Sequence, residues 1–196
     1  MFANRFTALV DACCLAGALK RNLLLTLAEA EFFRLRWSAT VLDETERAIA
    51  AILSAKGVTD AVERARRARR VMQAAFEEAD VGDYQALLPA CSHLPDPDDA
   101  HVLAAALKTQ AAIIVTDNLK DFPSAVLSPL NLEARSADDF IADTIALDTG
   151  RAVAAIRRMR ERLRRPEKTA EILLLDMEAE GLTESVDILR AHVASL

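Results

Sequence analysis

The sequence predicts an α/β fold, a parallel sheet flanked by helices, with an all-α extension at its C-terminal end. Three observations predict it. Short apolar runs rich in β-formers, FTALV (6–10), RLRWS (34–38) and AAIIVT (111–116), alternate with long helix-patterned stretches, the arrangement of parallel strands joined by crossover helices. Alanine and leucine dominate while aromatics make up 5% of residues, which favours helix over a sheet-only fold. From about residue 149 every segment is helical in pattern.

The elements follow in order. FTALV is short and apolar enough for a buried strand. Residues 15–33 read as one helix and RLRWS as a weaker strand. The stretch 38–57 is a helix with Ser38 or Thr40 as its cap and Gly57 at its stop. Residues 59–80 read as a helix of several turns, with Asp60 and Glu63 in capping-box spacing. Residues 82–97 mix a short helical piece with loop, and Pro97 opens the next helix at its first turn. AAIIVT is the strongest strand, LNLEAR (130–135) a short one, and 136–147 a helix capped by Ser136. In the extension, Val153, Ile156, Met159 and Leu163 form one apolar stripe, with arginines around the rest. Pro166 and Gly181 divide the extension into three helices.

With 196 residues, 52% of them hydrophobic, the chain has room for one domain plus a helical appendage and a sizeable core. No run of eighteen apolar residues occurs, so no membrane span is expected. The N-terminal MFANRFTALVDACC is too short and broken for a signal peptide. Cys13, Cys14 and Cys91 make an odd count, which suits a reducing cytoplasm better than a disulfide framework. Net charge is −6, yet arginine is clumped: five in 63–70 and seven in 151–168. Two readings stand for these helices, solvated faces neutralised by Glu63, Glu161 and Glu167, or grips on a phosphate backbone.

Sites in parallel sheets form at the carboxyl ends of strands. Asp11 directly follows FTALV and Asp117 directly follows AAIIVT, so both belong to one edge of the sheet. Glu44 stands early in the helix after the second strand, with Asp43 and Glu46 nearby. Asp99 stands in the first turn of the helix opened by Pro97, beside Asp96 and Asp98. Gathered carboxylates resist joint ionisation, and a hard divalent cation with oxygen ligands relieves the repulsion. Each acid alone also has a structural reading, as a helix-start charge or a turn former. Two acids after two parallel strands, together with one at a neighbouring helix start, weaken that reading.

These residues resemble those of the PIN-domain ribonucleases, the fold of the VapC-like toxins of VapBC-type toxin–antitoxin systems. ALVDACCL is similar to the family's first motif, VLDETERAI to its second, and LPDPDDAHVLAAALKTQAAIIVTDNLKDFP to the third and fourth together. The resemblance covers about residues 5–140; it implies a PIN-like nuclease domain over 1–145 and a helical extension over 146–196. It implies metal-site and catalytic roles for Asp11, Glu44 and Asp99, with Glu46 the weaker choice beside Glu44. At the fourth position the chain departs from the family pattern: the residue two after Thr116 is Asn118, and Asp117 precedes it. Either Asp117 serves there, or Asn118 supplies a neutral oxygen ligand or water anchor, with Thr116 placed to hydrogen-bond Asp11 or a bound water and counted as a candidate substrate residue. The implied activity is Mg²⁺- or Mn²⁺-dependent hydrolysis of an RNA phosphodiester, with water as nucleophile and the 3′ oxygen leaving. RNA, a cognate antitoxin and a second copy of the chain are the implied partners, with no membrane. Arg157, Arg158 and Arg164 then become candidate grips on RNA. A weakened PIN-like module that binds RNA or antitoxin is the alternative, motivated by Asn118.

Other chemistries are poorly supported. Gly17 stands without a phosphate-loop or dinucleotide fingerprint, and VDACC lacks the paired aspartates of a haloacid-dehalogenase-type phosphatase. Cys91 and His93 are too few ligands for zinc. Cys13, Cys14 and Trp37 read as core residues, Phe122 as an anchor, Asp121 as a cap or loop acceptor, and His101 as packed or hydrogen-bonded on its helix.

Overall fold

A computed structural model describes residues 6–163 and 167–196. By packing, the chain divides into two compact units: residues 1–17 with 34–135, and residues 18–33 with 136–196. The sequence expectation drew one boundary at 145/146; packing instead groups residues 18–33 and 136–145 with the C-terminal helices.

The first unit is built on five parallel strands. β1 (Thr7–Val10) leads into a short helix, α1 (Ala12–Ala16). The single helix expected over 15–33 is broken at Gly17, whose extended backbone (φ −70°, ψ 130°) separates α1 from α2 (Ala18–Glu29) of the second unit. β2 (Arg34–Ser38) runs directly into α3 (Ala39–Ala55), where the Ser38 hydroxyl accepts from the Val41 N–H at 3.2 Å. Such a cap stabilises by about 1 kcal/mol. Lys56 closes α3, and Gly57 beyond it takes a left-handed φ of 74°.

α4 (Ala61–Ala75) stops five residues short of its sequence expectation. Phe76 leaves helical geometry and sets its ring edge-on to Trp37, centroids 6.0 Å apart. The chain then forms a two-residue strand, β3 (Asp80–Val81), beside the end of β2. Tertiary packing overrides local helix propensity there. The capping box at Asp60 does not form: Asp60 pairs with Arg64 at 2.8 Å and Glu63 with Arg70 at 2.9 Å.

The remaining elements of this unit are α5 (Ala100–Lys108), β4 (Ile113–Val115), α6 (Ser124–Leu127) and β5 (Glu133–Arg135). Strand order is β3-β2-β1-β4-β5, all parallel. β1 is central: Ala8 registers with Leu35 on one side and Ile113 on the other, and Ala8, Leu9 and Val10 are fully buried. From β1 the chain builds outward through β2 to β3, then returns to place β4 on β1's other flank. That reversal opens a crevice at the carboxyl ends of β1 and β4.

The second unit contains α2, α7 (Ala137–Leu147), α8 (Thr149–Arg162), α9 (Ala170–Ala179) and α10 (Thr183–Arg190). Leu19, Leu23 and Leu27 of α2 recur every four residues and are buried; Val153, Ile156 and Met159 form a buried stripe of α8, whereas Leu163, expected to continue it, is the half-buried C-cap in extended geometry. Phe33 and Phe140 meet edge to face at 4.9 Å, and the Arg151 guanidinium stacks over Phe32 at 4.2 Å. α10 lacks a side-chain cap from its own N-terminal neighbour. Asp138 of α7 serves instead, accepting from the Glu184 and Ser185 N–H groups at 2.8 and 2.9 Å and from the Ser185 hydroxyl at 2.7 Å. No described helix is long and apolar enough to cross a membrane.

Candidate metal centre

The crevice between β1 and β4 begins with Asp11. Its backbone N–H continues the β1–β4 ladder by donating to the Val115 carbonyl at 3.0 Å. Its carboxylate caps α1, accepting from the Ala12 N–H at 2.6 Å, and is only 6% exposed. The Thr116 hydroxyl, fully buried at the end of β4, donates to the other Asp11 oxygen at 2.8 Å. The two strand ends are therefore tied together, as expected from the order of elements.

Cys13 departs from its expected place in the core. Its side chain is exposed, with Sγ 3.2 Å from Asp11 Oδ2 and 3.4 Å from Thr116 Oγ1, whereas Cys14 is buried. Hydrogen bonding between the two thiols lowers the Cys13 pKa and raises that of Cys14.

Asp99 enters from the adjoining segment. Asp96 accepts from the Asp98 N–H at 2.9 Å and starts a 3₁₀ turn over Pro97–Asp99 that runs into α5. This tight turn sets Asp99 at the mouth of α5, where one carboxylate oxygen, Oδ2, is buried without a hydrogen-bond partner. Burial, then the charges of Asp11, Asp96 and Asp121, push its pKa up to about 6, opposed by His101. A buried carboxylate oxygen with no donor is costly, and the surrounding acids make it more so.

Asp121 was read from sequence as a cap or loop acceptor. The structure brings it within 4.8 Å of Asp99 and Asp96, ligand atom to ligand atom. After β4 a 3₁₀ turn over Leu119–Asp121, anchored by Phe122 at 2% exposure, folds the chain back to place it there. Asn118 steadies it, Nδ2 donating to Asp121 Oδ2 at 2.5 Å, while the Asn118 N–H donates to the Thr116 hydroxyl at 3.1 Å. Asn118 thus holds an acid. Asp117, the sequence candidate, is exposed and outside the trio; its N–H donates to Cys13 Sγ at 3.3 Å. The missed signal was the spacing of Asp121 immediately before an anchored Phe122.

Glu44 faces a different neighbour. Its Oε1 lies 3.1 Å from His101 Nε2 across the α3–α5 contact, and it is not one of the clustered trio. Asp43 and Glu46 are occupied by α4: Arg69 binds both, and Arg66 sits 3.7 Å from Glu46. That pairing engages Glu46, the weaker of the two sequence candidates.

Most of the clumped arginines have partners. In α4, Arg64, Arg66, Arg69 and Arg70 are ion-paired. In α8, Arg157 pairs with Glu161 at 2.8 Å, Arg162 with Glu29 at 3.3 Å, and Arg160 donates to the Leu196 and Lys168 carbonyls. Arg158 makes no ion pair among the described residues and borders a cleft with Thr26, Glu29 and Arg162. Arg164 lies outside the described residues.

The donor set fits a hard divalent cation. Asp96, Asp99 and Asp121 offer oxygen only, and the bare Oδ2 of Asp99 has no proton donor among its described neighbours. Oxygen-rich, nitrogen- and sulfur-poor sites suit Mg²⁺ or Mn²⁺.

A family model described as PIN domain matches residues 7–120, more than half of the chain, and the chain belongs to the PIN-domain family. A second model, described as VapC50 C-terminal domain, matches residues 137–191. Over 49 residues the chain is 49% identical to a Mycobacterium tuberculosis protein named "Putative ribonuclease VapC50"; the stretch is 25% of this chain and 29% of that protein. The match thus covers less than a third of that relative's length. No solved structure matches.

Proposed function

We propose that the chain is a metal-dependent endoribonuclease toxin of a type II toxin–antitoxin system. The observation that carries this reading is the buried, unpartnered Oδ2 of Asp99 among Asp11, Asp96 and Asp121. In this reading residues 1–145 supply the nuclease and 146–196 a helical extension. Asp96, Asp99 and Asp121 hold Mg²⁺ or Mn²⁺, with Asp11 beside them and Glu44 at the margin. Asp121 fills the fourth acidic position in place of Asp117, and Asn118 orients it. A bound cation of this type lowers the pKa of water and offsets charge developing at phosphorus.

The chain's own residues do the rest. Thr116 donates to one Asp11 oxygen and so fixes which face of that carboxylate remains available. Acidic walls repel a phosphodiester, and exposed cations elsewhere draw it in by releasing counterions. Arg158, which makes no ion pair among the described residues, is the α8 candidate for that role. A cognate antitoxin, a homodimer and a cytoplasmic location complete the reading, and they rest on family membership.

The test is cleavage of total cellular RNA by purified protein, with and without chelator, followed by end mapping. Metal-dependent cuts that disappear in Asp11→Ala and Asp99→Ala support the proposal. Cuts that persist in both variants overturn the site. RNA bound but not cut, with metal present, favours the binding-module alternative.

A further inference from the structure

His101 is the side chain at this centre that none of the assignments above explains. It stands in the first turn of α5, two residues after Asp99, with its side chain 13% exposed. The helix behind it is rigidly seated: Val102, Leu103, Ala104, Ala105 and Ala106 are all fully buried. From this fixed base Nε2 reaches Glu44 Oε1 at 3.1 Å, on a helix 57 residues away in sequence. Nδ1 is buried and has no hydrogen-bond partner among the described residues.

We propose that His101 is a positioning residue, whose Nε2–H holds the Glu44 carboxylate against the start of α5, two residues from Asp99, and so sets the affinity of the centre for a divalent cation. This rests on the reading of the acidic cluster as a metal site. Nε2 donates to Glu44 in the neutral Nε2–H tautomer and in the imidazolium alike; Nδ1 has no hydrogen-bond partner among the described residues.

Glu44 needs such a hold. Its side chain is 32% exposed, and Arg47, one helical turn further on, offers a competing charge 3.9 Å from the same oxygen. Arg47 is itself 74% exposed, so its pull leads the carboxylate toward solvent. Removing the histidine bond leaves Glu44 to that competitor. The effect reaches the metal site through carboxylate position, as outer-shell hydrogen bonds to ligands do elsewhere.

The test measures Mn²⁺ affinity by titration calorimetry on the full chain, with melting temperature recorded for each variant. His101→Leu is expected to weaken binding about 10- to 100-fold with little change in melting temperature. His101→Gln, whose amide nitrogen falls near the place of Nε2, is expected to stay within about threefold of wild type. In a Glu44→Gln background, His101→Leu is expected to add less than about twofold. Equal losses in the Gln and Leu variants, or a full loss from His101→Leu in the Glu44→Gln background, would overturn the inference. Wild-type protein that binds Mn²⁺ but cuts no RNA leaves the positioning role standing and removes the nuclease reading. Wild-type protein that binds no Mn²⁺ removes both.

Discussion

Asp99 in the first unit and Asp138 in the second stand at comparable places, each at the mouth of a helix, yet they are used in opposite ways. Both oxygens of Asp138 are consumed: two backbone N–H groups and the hydroxyl of Ser185 donate to them within 3.0 Å. One oxygen of Asp99 is buried with nothing donating to it, and its nearest charged neighbours include three further acids. The first arrangement stabilises the fold, the second costs it stability. A chain that tolerates the second is compensated by something other than its own donors, and a divalent cation has the right charge and ligand preference. On the proposed reading, this difference separates a structural acid from a metal-binding one.

The contrast predicts effects of opposite sign. The largest falls on activity: Asp99→Ala and Asp11→Ala each lower metal-dependent RNA cleavage at least about 100-fold, while Asp138→Ala, compared at a temperature where it remains folded, leaves the specific rate near wild type. Next comes stability. Asp138→Ala strips the cap from α10 and costs about 2 kcal/mol, read as a fall in denaturant midpoint. A smaller gain follows from Asp99→Asn. The folded-state pKa of Asp99, about 6, lies above its unfolded value of 3.8. The folded protein therefore holds this proton over a range where the unfolded chain has lost it, and metal-free stability falls as pH rises from about 4 to about 6. Asp99→Asn is expected to gain on the order of 1 kcal/mol at pH 8 without metal, after allowance for solvent screening, and none at pH 4. Saturating Mn²⁺ reverses the ranking at pH 8.

The smallest effects concern the arginines. Arg158→Ala is expected to reduce the salt slope of RNA binding by about one unit in log–log form. Arg157→Ala, which removes a residue already paired with Glu161, changes the slope less. Equal slopes in the two variants would return α8 to a solvated face.

How much was legible in the sequence depends on whether a feature is local. β1, β2, β4 and the caps at Ser38 and Ser136 follow from short runs and neighbouring side chains, and each formed where expected. Asp11 and Asp99 were placed by strand order and by Pro97. The early stop of α4 was not legible, because a ring contact between Phe76 and Trp37 ends it. The trans cap from Asp138 was hidden for the same reason: its partners lie 46 and 47 residues on. Asp121 was undervalued because a 3₁₀ turn, which leaves little trace in hydrophobic pattern, decides that it and not Asp117 meets Asp99. The family pattern already favours Glu44 over Glu46, and the structure adds that Arg66 and Arg69 occupy the latter.

The central claim is that the acids around Asp99 are gathered for a cation, and electron paramagnetic resonance of Mn²⁺ added to metal-free protein tests it most directly. The account predicts that the free-ion signal is quenched on mixing with wild-type protein at pH 8 and recovered with Asp99→Asn at equal concentration. Equal quenching by both proteins, or none by either, would contradict it.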